Sequence, residues 1–318
     1  IHRILAIDPG TRFIGFALLE GTKLIHYGVK TLAKNQNWQV NLKEGRRFVA
    51  RLIEEFQPNI LHDVSSLDLS RQTLGHSFKM PVGIAPTGFT RMMQSEGERA
   101  GSRAAEKFGI PFTLSTLGTT SIEDVVKAAP NGTNWFQLYM WKDREGSMAL
   151  VDRAWNAGVR NLMLTVDVPV AGARLRDVYN GMTVPPRLNL KTVINAIPRP
   201  EWVWNFLTTP PLEFASMNNW NGTVAELLDY MFDPTMTFED LKWIREQWKG
   251  TLTVKGVQTL EDAKRCAEYG IDAILLSNHG GRQLDRAPVP LHLLGQVRKE
   301  IKNDIEIHLD TGIMHGTD

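Results

Sequence analysis

Apolar and polar positions alternate along this chain in two different rhythms, and the change between them falls near residue 57. Before it, residues 3–8 (Arg-Ile-Leu-Ala-Ile-Asp) predict a strand ending in the turn Pro9-Gly10-Thr11. Residues 12–19 and 23–32 predict two more strands, joined at Glu20-Gly21-Thr22. In residues 42–56 the spacing of Phe48, Val49, Leu52, Ile53 and Phe56 puts all five on one face of a helix. From residue 80 onward a different unit repeats: a short apolar strand, a loop, a helix, a glycine and the next strand. The predicted strands are 81–86, 112–116, 134–139, 162–167, 252–257, 273–278 and 306–310.

The helix boundaries of the repeat share one chemistry. Ser121 precedes Asp124, Thr237 precedes Asp240 and Thr259 precedes Asp262, each an N-cap hydroxyl with an acid three residues on. Gly109, Gly158, Gly250 and Gly270 each stand where a helix is expected to stop in a left-handed turn. Continuous apolar strands alternating with capped helices predict a parallel sheet covered by helices, and seven such units predict an α/β fold of the (β/α)8 TIM barrel type. The count makes the barrel incomplete, with its eighth strand lying beyond residue 318. One connection, residues 168–236, is far longer than the rest and rich in proline and tryptophan, as lids and binding loops are.

Composition narrows the functional classes. A hydrophobic share of 42% and a charged share of 22% are those of a globular protein, and a net charge of +1 supplies no bulk field for nucleic acid or an anionic membrane. The single cysteine, Cys266, excludes an internal disulfide, fits a reducing compartment and reads as a small buried residue. No apolar run reaches a membrane span and no secretory signal opens the chain, so a cytoplasmic location is expected, with peripheral contact at the inner face of the cell membrane as a variant. The insertion supplies a reason for that variant. Trp202, Trp204, Phe206 and Trp220 either pack over the strand ends or make a shallow contact with a membrane or another apolar partner.

Barrels of this kind place their chemistry at the C-terminal ends of the strands. In order, those ends read Pro86-Thr87-Gly88, Ser115-Thr116, Gln137-Leu138-Tyr139, Thr165-Val166-Asp167, Lys255-Gly256, Ser277-Asn278-His279-Gly280-Gly281-Arg282 and Asp310-Thr311-Gly312. Each residue alone has a structural reading. Lys255 can snorkel to solvent, His279 can be a satisfied structural histidine, Asp167 can cap a segment, Gly280-Gly281 can be an ordinary turn and Arg174 a solvated charge. A lysine, a histidine, an arginine and aspartates around one rim are not needed by a structural barrel, and the combination predicts a functional site.

Here residues 59–318 resemble the FMN-dependent α-hydroxy acid dehydrogenases, a family that includes glycolate oxidase, flavocytochrome lactate dehydrogenase and lactate oxidase. The run Leu276-Ser277-Asn278-His279-Gly280-Gly281-Arg282-Gln283-Leu284-Asp285 is similar to the family's active-site signature, and Asp63-Val64-Ser65 with Asp68 resembles its opening segment. Within the family the chain is most similar to quinone-dependent L-lactate dehydrogenases. The resemblance implies oxidation of a small L-2-hydroxy acid, L-lactate foremost, with FMN as cofactor and a quinone or oxygen as electron acceptor. It implies that His279 is the proton-abstracting base, with Asp167 holding the imidazolium. Arg282 and its partner Arg174 would bind the substrate carboxylate, Tyr139 the substrate oxygen, and Lys255 the flavin N1–O2 edge. Pro86, Thr87, Gly88, Ser115, Gln137, Thr165 and Ser277 would line the isoalloxazine ring, and Asp310 and Gly312 the ribityl-phosphate end. No metal is implied, and a homo-oligomer is compatible with the pattern.

Two departures follow from the same resemblance. Gly88 stands where many relatives have alanine, which implies a methyl-sized gap beside flavin N5. Met314 stands where many have a phosphate-binding arginine.

The front of the chain carries a different pattern. Ile4-Leu5-Ala6-Ile7-Asp8-Pro9-Gly10-Thr11, with Ile14-Gly15 and Tyr27-Gly28-Val29-Lys30, resembles the opening of ribonuclease H-like Holliday-junction resolvases, in which Asp8 would be the first metal-binding carboxylate. Two-metal cleavage needs several carboxylates converging on the cations, and the position that should supply the next reads Asn59-Ile60-Leu61-His62-Asp63. No nucleic-acid partner is therefore expected. The domain expectation is a β-β-β-α segment at 1–57 joined to the dehydrogenase-like domain at 58–318, as a fusion or chimera. An inactive hybrid and a DNA-junction-binding remnant stay open as alternatives.

Overall fold

A computed structural model describes residues 3–9, 13–20, 23–32, 38–56, 68–170, 172, 179, 194, 196–209, 215, 232–301 and 305–313. The chain divides into two compact units, Ile1–Asp68 and Leu69–Asp318.

In the first unit, strands β1 (Arg3–Pro9), β2 (Phe13–Glu20) and β3 (Lys23–Thr31) form an antiparallel sheet in sequential order, followed by helix α1 (Trp38–Phe56). Leu18, Leu32 and Leu52 are buried, and Phe16 meets Phe48 of α1 edge to face at 5.6 Å. Lys30 of β3 pairs with Glu44 of α1 at 2.7 Å. These are the three strands and the helix that the pattern predicts, the helix beginning four residues before residue 42.

The second unit opens with a hairpin, β4 (Arg71–Thr73) and β5 (His76–Phe78). A parallel sheet then runs in strict chain order through β6 (Phe112–Ser115), β7 (Asn134–Tyr139), β8 (Asn161–Thr165), β9 (Thr251–Val257), β10 (Ala273–Leu276) and β11 (Glu306–Leu309). Helices α2 (Thr90–Met93) and α3 (Gly97–Phe108) precede β6, and α4 (Ile122–Ala128) and α5 (Arg144–Asn156) follow β6 and β7. Helix α6 (Pro200–Thr208) lies within the long connection; α7 (Phe238–Gln247), α8 (Leu260–Glu268) and α9 (Pro290–Ile301) alternate with the last strands. Parallel strands paired in sequential order with a helix between neighbours are the layout of a TIM-barrel-like α/β fold.

The sequence-predicted strand at 81–86 is reduced to a single parallel bridge, Ile84 to Phe112. The amide of Ile84 donates to Pro111 O at 2.9 Å and its carbonyl accepts from Thr113 N at 3.0 Å. Pro81 and Pro86 bracket the segment, and a proline has no N–H with which to extend the ladder.

Each strand splits its residues by alternation. One set, including Leu114, Phe136, Leu138, Leu162, Leu164, Leu252, Val254, Ile274 and Leu276, packs with helix residues such as Ile122, Leu150, Ile244, Ala263 and Val297 in the main core. At ~1.5–3 kcal/mol per fully buried large apolar side chain, this layer is the main source of stability. The opposite set is apolar only near the strand starts, where Trp135, Met163, Ala273 and Leu275 cluster with Leu74 and Phe78 of the hairpin. Toward the strand ends the same face turns polar, with Gln137, Thr165, Lys255 and Ser277 buried. The hairpin is tied to β11 by Glu306, which accepts from Leu74 N at 2.9 Å and from the Thr73 hydroxyl. Burial pushes the Glu306 carboxyl up, but hydrogen bonds with His308, Thr73 and Leu74 outweigh it and hold the group at about 2.

The predicted caps form. Ser121 accepts from Asp124 N at 3.1 Å, Thr259 from Asp262 N at 3.0 Å, and Thr237 makes a reciprocal capping box with Asp240. Gly109, Gly158 and Gly270 have the expected positive φ, but Gly250 does not. Helix α7 is ended instead by extended backbone at the buried Trp248. Glycine is needed at 250 for space, since a Cβ there would lie 2.2 Å from Arg160 O. Cys266 is buried in the main core, and desolvation pushes its thiol up to about 12, as expected of an inert packing residue.

Candidate active site

The polar face at the strand ends is built by register. Ser115 stands beside Gln137, and Tyr139, Thr165 and Lys255 are in register across β7, β8 and β9. Ser115 Oγ donates to Gln137 Oε1 at 2.9 Å, and Thr116 N donates to the same oxygen at 3.3 Å. These bonds fix the amide's orientation. They leave Gln137 Nε2 buried without a hydrogen-bond partner, and Thr165 Oγ1 is in the same state. Lys255 is 4% exposed; its Nζ donates to Ser277 Oγ at 2.8 Å and pairs with Asp310 Oδ2 at 3.0 Å. Asp310 Oδ1 has no partner. A buried ammonium needs such company, because desolvating an unpaired charge costs several kcal/mol.

His279 sits in a tight 3₁₀ turn, His279–Gly281, at φ 57°, a strained value for a non-glycine residue. Its Nδ1 lies 3.0 Å from Asp167 Oδ1, and its backbone N–H donates to Ser277 Oγ at 3.1 Å. One hydroxyl thus accepts from both Lys255 and the amide of His279. Asp167 is buried, with Oδ2 unpartnered. Tyr139 is buried against Phe232, ring centroids 4.5 Å apart, and lies 6.5 Å from the His279 ring at 28°.

A bulge sets the approach of Asp167. Lys255 pairs with Leu275 but Val257 pairs with Leu276, so Gly256 is an extra residue in β9. Its φ is 102°, and a Cβ there would lie 2.6 Å from Asp167 Cβ and 2.7 Å from Asp167 Cγ. The chain needs glycine at 256 both for its backbone and for the close packing of the carboxylate.

Of the other expected site residues, Arg282 closes the 3₁₀ turn and is exposed, Thr87 is exposed, Pro86 is partly buried and Gly312 is exposed at φ 77°. Arg174 and Met314 lie outside the described residues, as do Asp63, Val64 and Ser65. The expected methyl-sized gap at Gly88 is corrected by the packing: a Cβ there would meet Leu117 Cβ at 2.9 Å and Leu117 O at 3.2 Å. Leu117 closes the space because the Phe89 amide donates to its carbonyl at 3.1 Å. Sequence reasoning passed over the positional role of Gly256, although a glycine inside a strand pattern is itself a bulge signal. It also passed over Phe232 and the buried Glu98, whose partners are remote in sequence.

The profile of the FMN-dependent dehydrogenases matches residues 30–318. The chain belongs to the FMN-dependent dehydrogenase family. It is 58% identical over 264 residues to a putative L-lactate dehydrogenase of Mycobacterium tuberculosis, covering 83% of this chain and 64% of that protein. It is 40% identical over 281 residues to an L-lactate dehydrogenase of Pectobacterium atrosepticum, covering 86% of this chain and 72% of that one. Among solved structures, a monotopic membrane protein, (S)-mandelate dehydrogenase, superposes with a TM-score of 0.75 at 36% identity, over 82% of this chain and 71% of that one. A mandelate oxidase gives 0.66 at 33% identity, over 80% and 66%. The chain therefore spans a little under two thirds of the M. tuberculosis relative.

The residues present fit FMN. The pyrimidine-like edge of an isoalloxazine offers both donors and acceptors, and the unpartnered Gln137 Nε2 and Thr165 Oγ1 are of the type that would complement it. Lys255 adds a buried positive charge suited to the negative charge that a reduced flavin carries.

Proposed function

We propose that this protein oxidises a small L-2-hydroxy acid, L-lactate foremost, to the 2-oxo acid, with FMN as the resident cofactor. The observation that carries the reading is the His279–Asp167 pair at 3.0 Å, seated on the Gly256 bulge beside Lys255. With Nδ1–H donated to the carboxylate, Nε2 keeps its lone pair and faces the role of base. Asp167 then stabilises the imidazolium formed when His279 takes the substrate's proton, and its unpartnered Oδ2 leaves it room to do so.

Arg282, on the same turn, holds the substrate carboxylate in a planar two-bond fork, with Arg174 as its partner. Tyr139 hydrogen-bonds the substrate oxygen. Gln137, Thr165, Ser277 and Lys255 would hold the flavin ring, with Pro86, Thr87, Gly88 and Ser115 bordering it and Asp310 and Gly312 at its ribityl end. FMN, when bound, would supply the acceptor for the two electrons released by the hydroxy acid, with a quinone or oxygen as the final oxidant.

Anaerobic mixing of the FMN-loaded protein with L-lactate tests the reading. Loss of the visible flavin absorbance supports it. Absorbance lost with (S)-mandelate but not with L-lactate would reassign the substrate, and no loss with any 2-hydroxy acid would overturn the function.

A lipid-surface contact through α6 belongs to the same proposal. Among the described residues no helix is long and apolar enough to cross a membrane. Trp204 and Leu207 of α6 are nevertheless 70% and 72% exposed, and Ile197 just before it 71%, while Trp202 is anchored by its indole N–H to Met92 O at 3.1 Å. Aromatic and aliphatic side chains displayed this way suit the interfacial region of a bilayer.

A further inference from the structure

Glu98 is a carboxylate in the first turn of α3 that is 1% exposed and takes no part in the site described above. A buried carboxylate is costly unless its oxygens are satisfied. Here they accept from Thr119 N at 2.7 Å, from Thr119 Oγ1 at 2.9 and 3.0 Å and from Thr120 Oγ1 at 2.8 Å. Burial pushes the carboxyl up, but the hydrogen bonds from Thr119, from its own backbone N–H and from Thr120 outweigh it and hold the group below its ordinary value. Glu98 therefore stays ionised, and the positive end of the α3 dipole favours that state.

What Glu98 holds is the loop after β6. Gly118 N donates back to Ser115 O at 2.8 Å, closing the turn that carries Leu117. Leu117 N donates to Ser115 Oγ at 3.2 Å, and Ser115 Oγ in turn donates to Gln137 Oε1. Ser115 Oγ and Thr116 N thus both engage Gln137 Oε1, and Nε2 is the atom left without a partner. Leu117 also forms the wall against Gly88.

We infer that Glu98 is a positioning residue for the flavin: through Thr119–Thr120, Leu117 and Ser115 it orients the Gln137 amide that receives the cofactor ring. The inference rests on FMN being the group bound. The link is the backbone: Glu98 fixes residues 119 and 120, the chain carries that placement through Gly118 to Leu117, and Leu117 N and Ser115 Oγ carry it by hydrogen bonds to Gln137. Glutamine at 98 keeps the shape but turns one acceptor oxygen into a donor, facing hydroxyls and an amide that already donate.

FMN titration of the full chain, followed by flavin fluorescence, tests this for wild type, Glu98→Gln, Gln137→Leu and the double variant. Glu98→Gln should raise the FMN Kd at least ~10-fold, the effect of losing about one charged hydrogen bond. The double variant should be little worse than Gln137→Leu alone, because both changes act on one contact. At saturating FMN the rate of L-lactate-driven flavin reduction should stay near wild type for Glu98→Gln. If Glu98→Gln does not fold, Thr120→Val serves, with a smaller rise in Kd and rescue by Thr120→Ser. A Glu98→Gln protein with lowered melting temperature but unchanged Kd, or a double variant whose effects simply multiply, would overturn the inference. A wild-type chain that binds no FMN would instead overturn the functional reading on which it rests.

Discussion

Gly256→Ala is the substitution whose consequence can be worked furthest from the structure. The new Cβ would stand 2.6 Å from Asp167 Cβ, 2.7 Å from Cγ and 2.9 Å from the backbone N. Restoring even a tight contact of 3.4 Å requires Asp167 to withdraw by about 0.8 Å, and it has no flexible tip to yield because the near atoms are its Cβ and backbone. The Asp167–His279 bond starts at 3.0 Å, so a withdrawal of that size takes it past the ~3.6 Å beyond which a hydrogen bond no longer exists. A hydrogen bond to a charged group is worth ~1.5–3 kcal/mol. With a factor of ten in rate for every ~1.4 kcal/mol, flavin reduction should slow by ~10–100-fold. The φ of 102° adds a folding cost of ~1–3 kcal/mol for any non-glycine residue. The assay is the anaerobic rate of flavin reduction by L-lactate at saturating FMN, beside a thermal melt and the comparator Asp167→Asn. Gly256→Ala should lower the maximal rate far more than it raises KM, and should approach Asp167→Asn. A Gly256→Ala protein that melts and reduces flavin like wild type would refute the reasoning.

Other substitutions probe separate parts of the account. Gly250→Ala puts a Cβ 2.2 Å from Arg160 O, so β8 and β9 must separate locally, and a loss of ~1–3 kcal/mol is expected in a denaturant titration with FMN binding unchanged. The Glu306 carboxyl lies below its ordinary value of 4.5, at about 2, so the stability it gives the β4–β5 hairpin is complete above pH 4.5 and is lost as pH falls toward 2. Glu306→Gln should therefore flatten the acid branch of a stability-versus-pH curve between those limits; an unchanged branch would dismiss the latch. Trp204→Ser with Leu207→Ser should reduce co-sedimentation with anionic vesicles while leaving lactate oxidation in detergent-free buffer intact. Equal sedimentation would remove α6 as the contact.

Much of the second unit was legible because its signals are local. Strand apolarity, the Ser121, Thr237 and Thr259 caps and the glycines at 109, 158 and 270 each act within a few residues of themselves. Alternation and register then placed Gln137, Thr165 and Lys255 on one face, whereas His279 is placed by the turn after β10. What escaped depends on contacts remote in sequence. Gly250 looks like a helix stop until Arg160 O is seen beside it. The gap expected at Gly88 vanishes because Leu117, 29 positions on, fills it. Glu98 gives no local sign of burial, because the groups that close over it, Thr119 and Thr120, lie more than twenty positions on. The hairpin at 71–78 has no long apolar run to announce it; its role is to cap the apolar strand starts with Leu74 and Phe78.

The central claim, a flavin site served by the His279–Asp167 pair, is tested most directly by single-turnover reduction of bound FMN with L-lactate, comparing wild type with His279→Gln. Both proteins should bind FMN equally, since His279 is assigned to the substrate and not to the ring. The variant's reduction rate should fall by ~10²–10⁴-fold, the usual worth of a positioned proton acceptor. Near-normal reduction by His279→Gln would contradict the account.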